Sequence, residues 1–276
     1  MNRNSGGDAS FDFDGLIVDL DGVVWLGGEP LPGAAAALAE LRKHGLSLLF
    51  LTNDPTGSRA EYAARLTQLG IAATEREVVT SGSSLATLVR EREGPGSTGF
   101  VIGSPALKRE LEGAGLELLA GEAGRAAEVV AIGGHAGFDY HELRIAAQAV
   151  RGGASLYAAG RDATFPMPDG PWPATGAILA AVETAAETRA IVAGKPEPYI
   201  FETARALLGH CRRVAIVGDD LESDIAGGKR AGLLTILVLS GTTRSDDVGS
   251  ADATPDLVLP DLAALREPLR SAKGVR

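Results

Sequence analysis

An apolar run that ends in two aspartates two positions apart constrains this chain more than any other feature. Leu16-Ile17-Val18-Asp19-Leu20-Asp21-Gly22-Val23-Val24 reads as a buried strand that stops at a charged corner. Residues i and i+2 of an extended backbone point the same way. The carboxylates of Asp19 and Asp21 are therefore expected to crowd one spot. Like charges that close cannot both ionise without a cation or a shared proton. Asp-Gly is also a common turn dipeptide, and the pair taken alone can equally be read as a turn.

The segments that follow argue for more than a turn. Apolar runs alternate with helical patterns, as in an α/β fold with a parallel sheet. Strands are predicted over residues 16–20, 46–51, 78–79, 214–217, 235–239 and 257–259. Helices are predicted from Pro32 to Gly45 and over 58–69, 198–208 and 224–231. A second set lies between them: strands 100–103, 129–132 and 156–159, with helices 105–114, 140–151 and 177–187. Residues 161–173, rich in proline, read as irregular, and the tail after Pro268 as frayed.

Bulk properties narrow the class. The chain has 276 residues, of which 45% are hydrophobic, enough for one large or two ordinary domains. Its net charge of −10 argues against nonspecific nucleic-acid binding, which neutralises phosphates with cations. The single cysteine, Cys211, forms no internal disulfide and fits a reducing compartment. Residues 1–10 lack the apolar stretch of a signal peptide, and no apolar run reaches membrane-spanning length. The expectation is a cytoplasmic protein without membrane or nucleic-acid partners.

Three further motifs fall near strand ends, where open α/β sheets bind ligands. Phe50-Leu51-Thr52-Asn53-Asp54 offers a hydroxyl and free amides that suit a phosphate oxygen; taken alone, a helix cap or Asx-turn explains it better. Gly194-Lys195-Pro196 places a lysine before a helix, a point charge suited to a phosphoryl group. Val217-Gly218-Asp219-Asp220-Leu221-Glu222-Ser223-Asp224 carries four acids within six residues. Helix N-termini favour one or two of them, but Asp219 directly after a strand fits a Mg²⁺ ligand better. Together these groups suit phosphoryl transfer, where catalysis is mostly positioning and charge neutralisation.

With those residues in view, the chain resembles the haloacid dehalogenase (HAD) superfamily. Asp19-Leu20-Asp21-Gly22-Val23 is similar to its first motif, Thr52-Asn53 to the second, Lys195 to the third and Gly218-Asp219…Asp224 to the fourth. Thr164-Phe165-Pro166…Asp169-Gly170, Thr175-Gly176 and Gly194-Lys195-Pro196-Glu197-Pro198 resemble subfamily IIA, the NagD-like phosphatases. The resemblance implies a doubly wound parallel-sheet, Rossmann-like core over residues 1–80 and 188–276. An α/β cap is implied over 81–187. It implies a Mg²⁺-dependent phosphatase acting on a small phosphorylated metabolite such as phosphoglycolate, glycerol phosphate, 4-nitrophenyl phosphate, pyridoxal phosphate or a nucleotide monophosphate. Asp19 would be the nucleophile and a metal ligand. Asp21 would be the general acid and base, meeting the metal through its main-chain carbonyl. Thr52 and the Asn53 amide would hold phosphoryl oxygens, Lys195 would bridge nucleophile and phosphate, Asp219 would bind the metal directly, and Asp224 would meet it from outside its nearest ligands or through water. A homodimer through the caps is implied as well.

Two departures touch the substrate side. Asp54 stands where subfamily members often carry a second asparagine. Gly160-Arg161-Asp162 replaces their usual Thr-Asn-x-Asp, so Arg161 and Asp162 are candidate substrate contacts, or simply a surface ion pair. The scattered histidines 44, 135, 141 and 210 show no metal spacing. Trp25 and Trp172 read as core residues or as packing at a core–cap seam, and Cys211 as inert. The rival readings are a phosphotransferase or mutase, a receiver-like signalling module and a catalytically idle phospholigand-binding protein.

Overall fold

The computed structural model describes residues 13–167, 169–250 and 253–266. The outer limits of the expected core, at residues 1 and 276, and the tail after Pro268 lie outside them. Strand Gly15–Asp19 is at the centre of a six-stranded parallel sheet. On one side lie Ser47–Thr52 and then Val78–Thr80; on the other lie Val214–Gly218, Leu234–Val238 and Leu257–Leu259. The chain leaves the central strand toward one edge and later returns to fill the other. That reversal is the topological switch point beside which such sheets bind ligands.

Both faces of this sheet are covered, which is why its strands are nearly all apolar. Leu16 and Val18 join Phe50, Val217 and Ile236 under helix Ala34–Lys43. Ile17 turns to the opposite side with Leu49, Leu51 and Ile216, against Phe201 of helix Pro198–Leu207. Helix Arg59–Gln68 starts on a capping box, with Ser58 and Glu61 each bonding the other's backbone N–H.

A second parallel sheet is inserted between Val78–Thr80 and Pro198–Leu207. Its order is Ile191–Val192, Ser155–Ala158, Val129–Ile132, Thr98–Ile102, Glu117–Leu118. Strand Ile191–Val192 pairs with Tyr157 and Ala158, so this sheet extends beyond the expected limit at 187. Helix Ser81–Glu93 was not foreseen. Its first turns are serine-rich, and serine competes with the helix by bonding nearby backbone. Burial decides instead: Leu85, Leu88 and Val89 pack with Val101 and Tyr157 of the second sheet.

Two other readings need correction. Residues 161–173 are not wholly irregular: Thr164–Met167 and Gly170–Pro173 form an antiparallel hairpin. Prolines are tolerated there because a two-stranded ribbon leaves outward edges without ladder bonds. The helix expected over 224–231 is instead a π-helical turn, Leu221–Ala226, followed by Gly227–Arg230. Among the described residues no helix is long and apolar enough to cross a membrane.

Candidate active site

The ends of two neighbouring strands and the turn after one of them converge on one buried cluster of charge. Asp19 is the last residue of the central strand, and Asp219 follows the adjacent Val214–Gly218. Asp224 comes up from the π-helical turn. One carboxylate oxygen from each of the three lies within 4.8 Å of the others. All three residues are buried, Asp224 completely. Lys195 Nζ donates to Asp19 Oδ1 and to Asp224 Oδ1, at 2.7 Å each. One buried ammonium thus faces three buried carboxylates.

That balance leaves uncompensated negative charge. Burial and the charges of Asp224 and Asp219 push the Asp19 carboxyl well above its ordinary value, although Lys195 pulls it down. Asp219 is pushed up to about 6 by burial first and then by Asp224, against its hydrogen bond from the Thr242 amide. Burial opposes the Lys195 charge, but Asp19 and Asp224 more than restore it. A nucleophilic Asp19 must be ionised beside a phosphate dianion, so the cluster calls for another cation. Its donors are oxygens only, the set that suits a hard divalent ion such as Mg²⁺. The residues therefore fit the metal that the motifs implied.

Glycines make the crowding possible. Gly22 has φ +77°, and a Cβ there would overlap the Asp219 carboxylate. A Cβ on Gly218 would overlap Asp224. The four acids of the fourth motif divide by role: Asp219 and Asp224 face the cluster. Asp220 caps the π-helical turn through the amides of Glu222 and Ser223. Glu222 is exposed beside Arg230.

Asp21 does not join the three-carboxylate group. It is exposed, unlike those three residues. Its carboxyl is still held above the ordinary value by the protein packed around it, although a hydrogen bond from Trp25 Nε1 favours the anion. Thr52 is buried, and its hydroxyl accepts from the Asp54 amide at 3.1 Å, leaving its own proton for donation. The turn reading of this motif is also realised, since Asp54 Oδ1 accepts from the Thr56 amide. The Asn53 side chain is fully engaged. Its Oδ1 accepts from the Lys195 amide at 2.8 Å, and its Nδ2 donates to the Lys195 carbonyl and to Asp162 Oδ2.

Asp162 therefore reaches the site through Asn53. Arg161 does not. Its guanidinium makes a two-pronged contact with Glu183 at 3.0 and 2.7 Å and also bonds the Ala190 carbonyl. It is neither free for a substrate anion nor paired with Asp162, because a buried carboxylate in the same domain claims it. Sequence reasoning missed several contributors. The Thr242 amide donates to Asp219 Oδ2 at 2.6 Å, and Ser240 Oγ to the Gly22 carbonyl. Both follow strand Leu234–Val238, so the strand-end rule could have found them. Trp25 is fully buried in the core domain rather than at a seam, while Trp172 is partly exposed on the hairpin.

Comparison with known proteins gives the family. A family model for haloacid dehalogenase-like hydrolases matches residues 16–117, and a HAD-hydrolase-like model matches residues 192–265. Human chronophin is 36% identical over 92% of this chain and 93% of its own. The glycerol phosphate phosphatase of Mycobacterium tuberculosis, solved in complex with magnesium, superposes with a TM-score of 0.86 at 36% identity. That match covers 92% of this chain and 76% of that one. The p-nitrophenyl phosphatase of Archaeoglobus fulgidus gives a TM-score of 0.86 at 30% identity, over 93% and 99% of the two chains. The chain belongs to the haloacid dehalogenase-like hydrolase family. Its fold is that of the superfamily's α/β core carrying an inserted α/β cap.

Proposed function

We propose that Asp19 attacks the phosphorus of a small phosphate monoester and that Asp21 serves the leaving group and then water. The protein is a phosphoric monoester hydrolase that works with Mg²⁺. One observation carries the reading: Lys195 bridges Asp19 and Asp224 while Asp219 completes a compact oxygen cluster.

Bound Mg²⁺ supplies charge neutralisation for Asp19 and for the phosphoryl oxygens. Asp19 and Asp219 would hold it through their side chains, Asp21 through its main-chain carbonyl, and Asp224 through water. The remaining work falls to the chain's own groups. An Asp19 oxygen forms a bond to phosphorus as the ester P–O bond breaks, and the departing oxygen takes a proton from Asp21. Asp21, now a carboxylate, removes a proton from water. The water oxygen attacks phosphorus, and Asp19 leaves with its electron pair. Lys195 neutralises charge between nucleophile and phosphate. The Thr52 hydroxyl and the Asn53 amide hold phosphoryl oxygens.

The inserted α/β unit acts as the cap, sheltering the reaction from bulk water. Among the described residues, the core comprises 13–80 and about 188–266, apart from the two-residue strand Ile191–Val192, which the cap's sheet takes. Substrates are small phosphorylated metabolites that fit beneath this cap; glycerol phosphate and 4-nitrophenyl phosphate are first choices, since similar proteins are named for them. Two copies pair through their caps, a reading supported by exposed Phe165, Met167 and Trp172 on the hairpin. A cytoplasmic location rests on the free Cys211. A panel of phosphate monoesters, assayed for phosphate release with Mg²⁺, with a chelator and with Asp19→Asn, tests the function. Turnover that survives both the chelator and the substitution refutes it. Phosphate appearing on an added sugar rather than in solution would favour the phosphotransferase alternative.

A further inference from the structure

Trp25 lies four residues beyond Asp21, in a tight turn that folds it back over that carboxylate. The amides of Val24 and Trp25 both donate to the Leu20 carbonyl, and the Gly22 amide donates to the Trp25 carbonyl at 2.7 Å. The indole is fully buried, and its Nε1–H reaches Asp21 Oδ1 at 2.8 Å. Two neighbours hold the ring. Tyr62 stacks on it with 6.4 Å between centroids and 9° between planes. The Arg65 guanidinium lies 4.0 Å from its centroid. Tyr62 in turn donates to Asp54 Oδ2 at 2.6 Å, and the Asp54 amide donates to Thr52 Oγ1. One run of packed side chains thus links the acid of the first motif to the threonine of the second.

A buried indole N–H needs an acceptor, and a surface-facing carboxylate could be that acceptor and nothing more. The clamp does more than satisfy the indole. Asp21 is exposed, with no other hydrogen bond to a described side chain, so its rotamer is set by this one contact. Oδ1 is occupied by a donor. Oδ2 is left as the oxygen that trades a proton with the ester and then with water.

We propose that Trp25 is the positioning residue for the general acid, fixing the Asp21 carboxyl so that Oδ2 delivers the proton. The proposal rests on the reading of Asp21 as general acid given above. In the first step the P–O bond of the ester breaks, its electron pair takes the proton from Asp21 Oδ2, and the alcohol departs. In the second, Oδ2 takes a proton from the attacking water.

Leaving-group dependence separates this role from a structural one. An alkoxide needs the proton, whereas a nitrophenolate leaves without it. Two variants are compared with wild type: Trp25→Phe, which keeps the stack on Tyr62, and replacement of Trp25 by benzothienylalanine, which keeps the indole shape and exchanges N–H for sulfur. Each should lower kcat/KM for an alkyl phosphate about tenfold, a fraction of a general acid's usual effect. Each should change kcat/KM for 4-nitrophenyl phosphate less than about twofold. Equal losses on both substrates, or no loss on either, would overturn the proposal. Should the phenylalanine variant fail to fold, the isosteric one decides. Asp21→Asn is the control: if it spares alkyl phosphate turnover, the acid role of Asp21 fails first, and that outcome is distinct from a failure of Trp25 to position it.

Discussion

Asp162 of the inserted domain accepts a 2.6 Å hydrogen bond from Nδ2 of Asn53 in the core. Asn53 also pairs with both the amide and the carbonyl of Lys195, whose ammonium bridges Asp19 and Asp224. The inserted domain is thereby tied to Lys195 through a single asparagine side chain. On the proposed reading, Asp162 would act on the site by holding Asn53.

This geometry ranks three substitutions. Asn53→Ala removes both the cap contact and the grip on the Lys195 backbone, and should lower kcat/KM about 10²-fold, the scale of a misplacement near 1 Å. Asp162→Ala removes only the cap contact and should cost about tenfold. Asp162→Asn keeps an acceptor for Asn53 and should stay near wild type. Steady-state kinetics on one phosphate ester reads the order; a larger loss for Asp162→Asn than for Asp162→Ala would contradict it.

Lys195→Ala leaves Asp19 and Asp224 buried without their shared cation. Breaking a buried ion pair by removing one partner costs roughly 3–5 kcal/mol. Urea unfolding of the metal-free protein should show that loss, and added Mg²⁺ should recover part of it. Lys195→Met should be as damaging, because the missing element is charge and not volume.

Metal removal should destabilise the fold, and the effect should depend on pH. In the metal-free protein Asp219 is raised from 3.8 to about 6. A carboxyl raised on folding stabilises the native state below its unfolded pKa and loses that contribution as pH rises through its folded one. The metal-free protein therefore weakens between about pH 4 and 6, while the Mg²⁺ site becomes ionised over the same range. Thermal melts should show a larger Mg²⁺-induced rise in Tm at pH 7.5 than at pH 5.0. An equal rise at both would count against the carboxylate cluster as the metal site.

Arg161 should matter to the stability of the cap and not to substrate affinity. Glu183 takes both of its arms, along with Arg189 and the Ala190 amide, and is held down at about 2, chiefly by the Arg161 hydrogen bonds. Both arginines are partly solvent-exposed, so Glu183→Gln should cost about 2 kcal/mol rather than the full cost of a buried pair. A lowered carboxyl contributes above its unfolded pKa and stops contributing as pH falls through its folded one. The gap between wild type and Glu183→Gln should stay constant from pH 7 to 5 and close between 4.5 and about 2. Denaturation at several pH values checks this. Arg161→Ala should lower stability and leave KM within about twofold; a KM rise of tenfold would restore it as a substrate contact.

The motif residues were legible because each sits where a local rule is simple. An apolar run followed by acid marks a strand end, and strand ends of a parallel sheet share one side. Asp19 and Asp219 were found that way, and Thr52 as a hydroxyl at a strand end. Ser81–Glu93 was not, because its helix comes from burial of Leu85, Leu88 and Val89 and not from propensity.

Local pattern determined which residues carry charge and that they end strands. It could not determine what faces what. Lys195 meets Asp19 across 176 positions of sequence, and Asn53 meets Lys195 across 142. Among four neighbouring acids, the resemblance singled out Asp219 and Asp224, but only the packed turn shows what Asp220 and Glu222 do instead: one caps the turn and the other is exposed beside Arg230. Arg161 read as a substrate contact or as the partner of Asp162, and it pairs instead with the buried Glu183. A side chain's partner is settled by desolvation and long-range packing, and neither is written in the residues beside it.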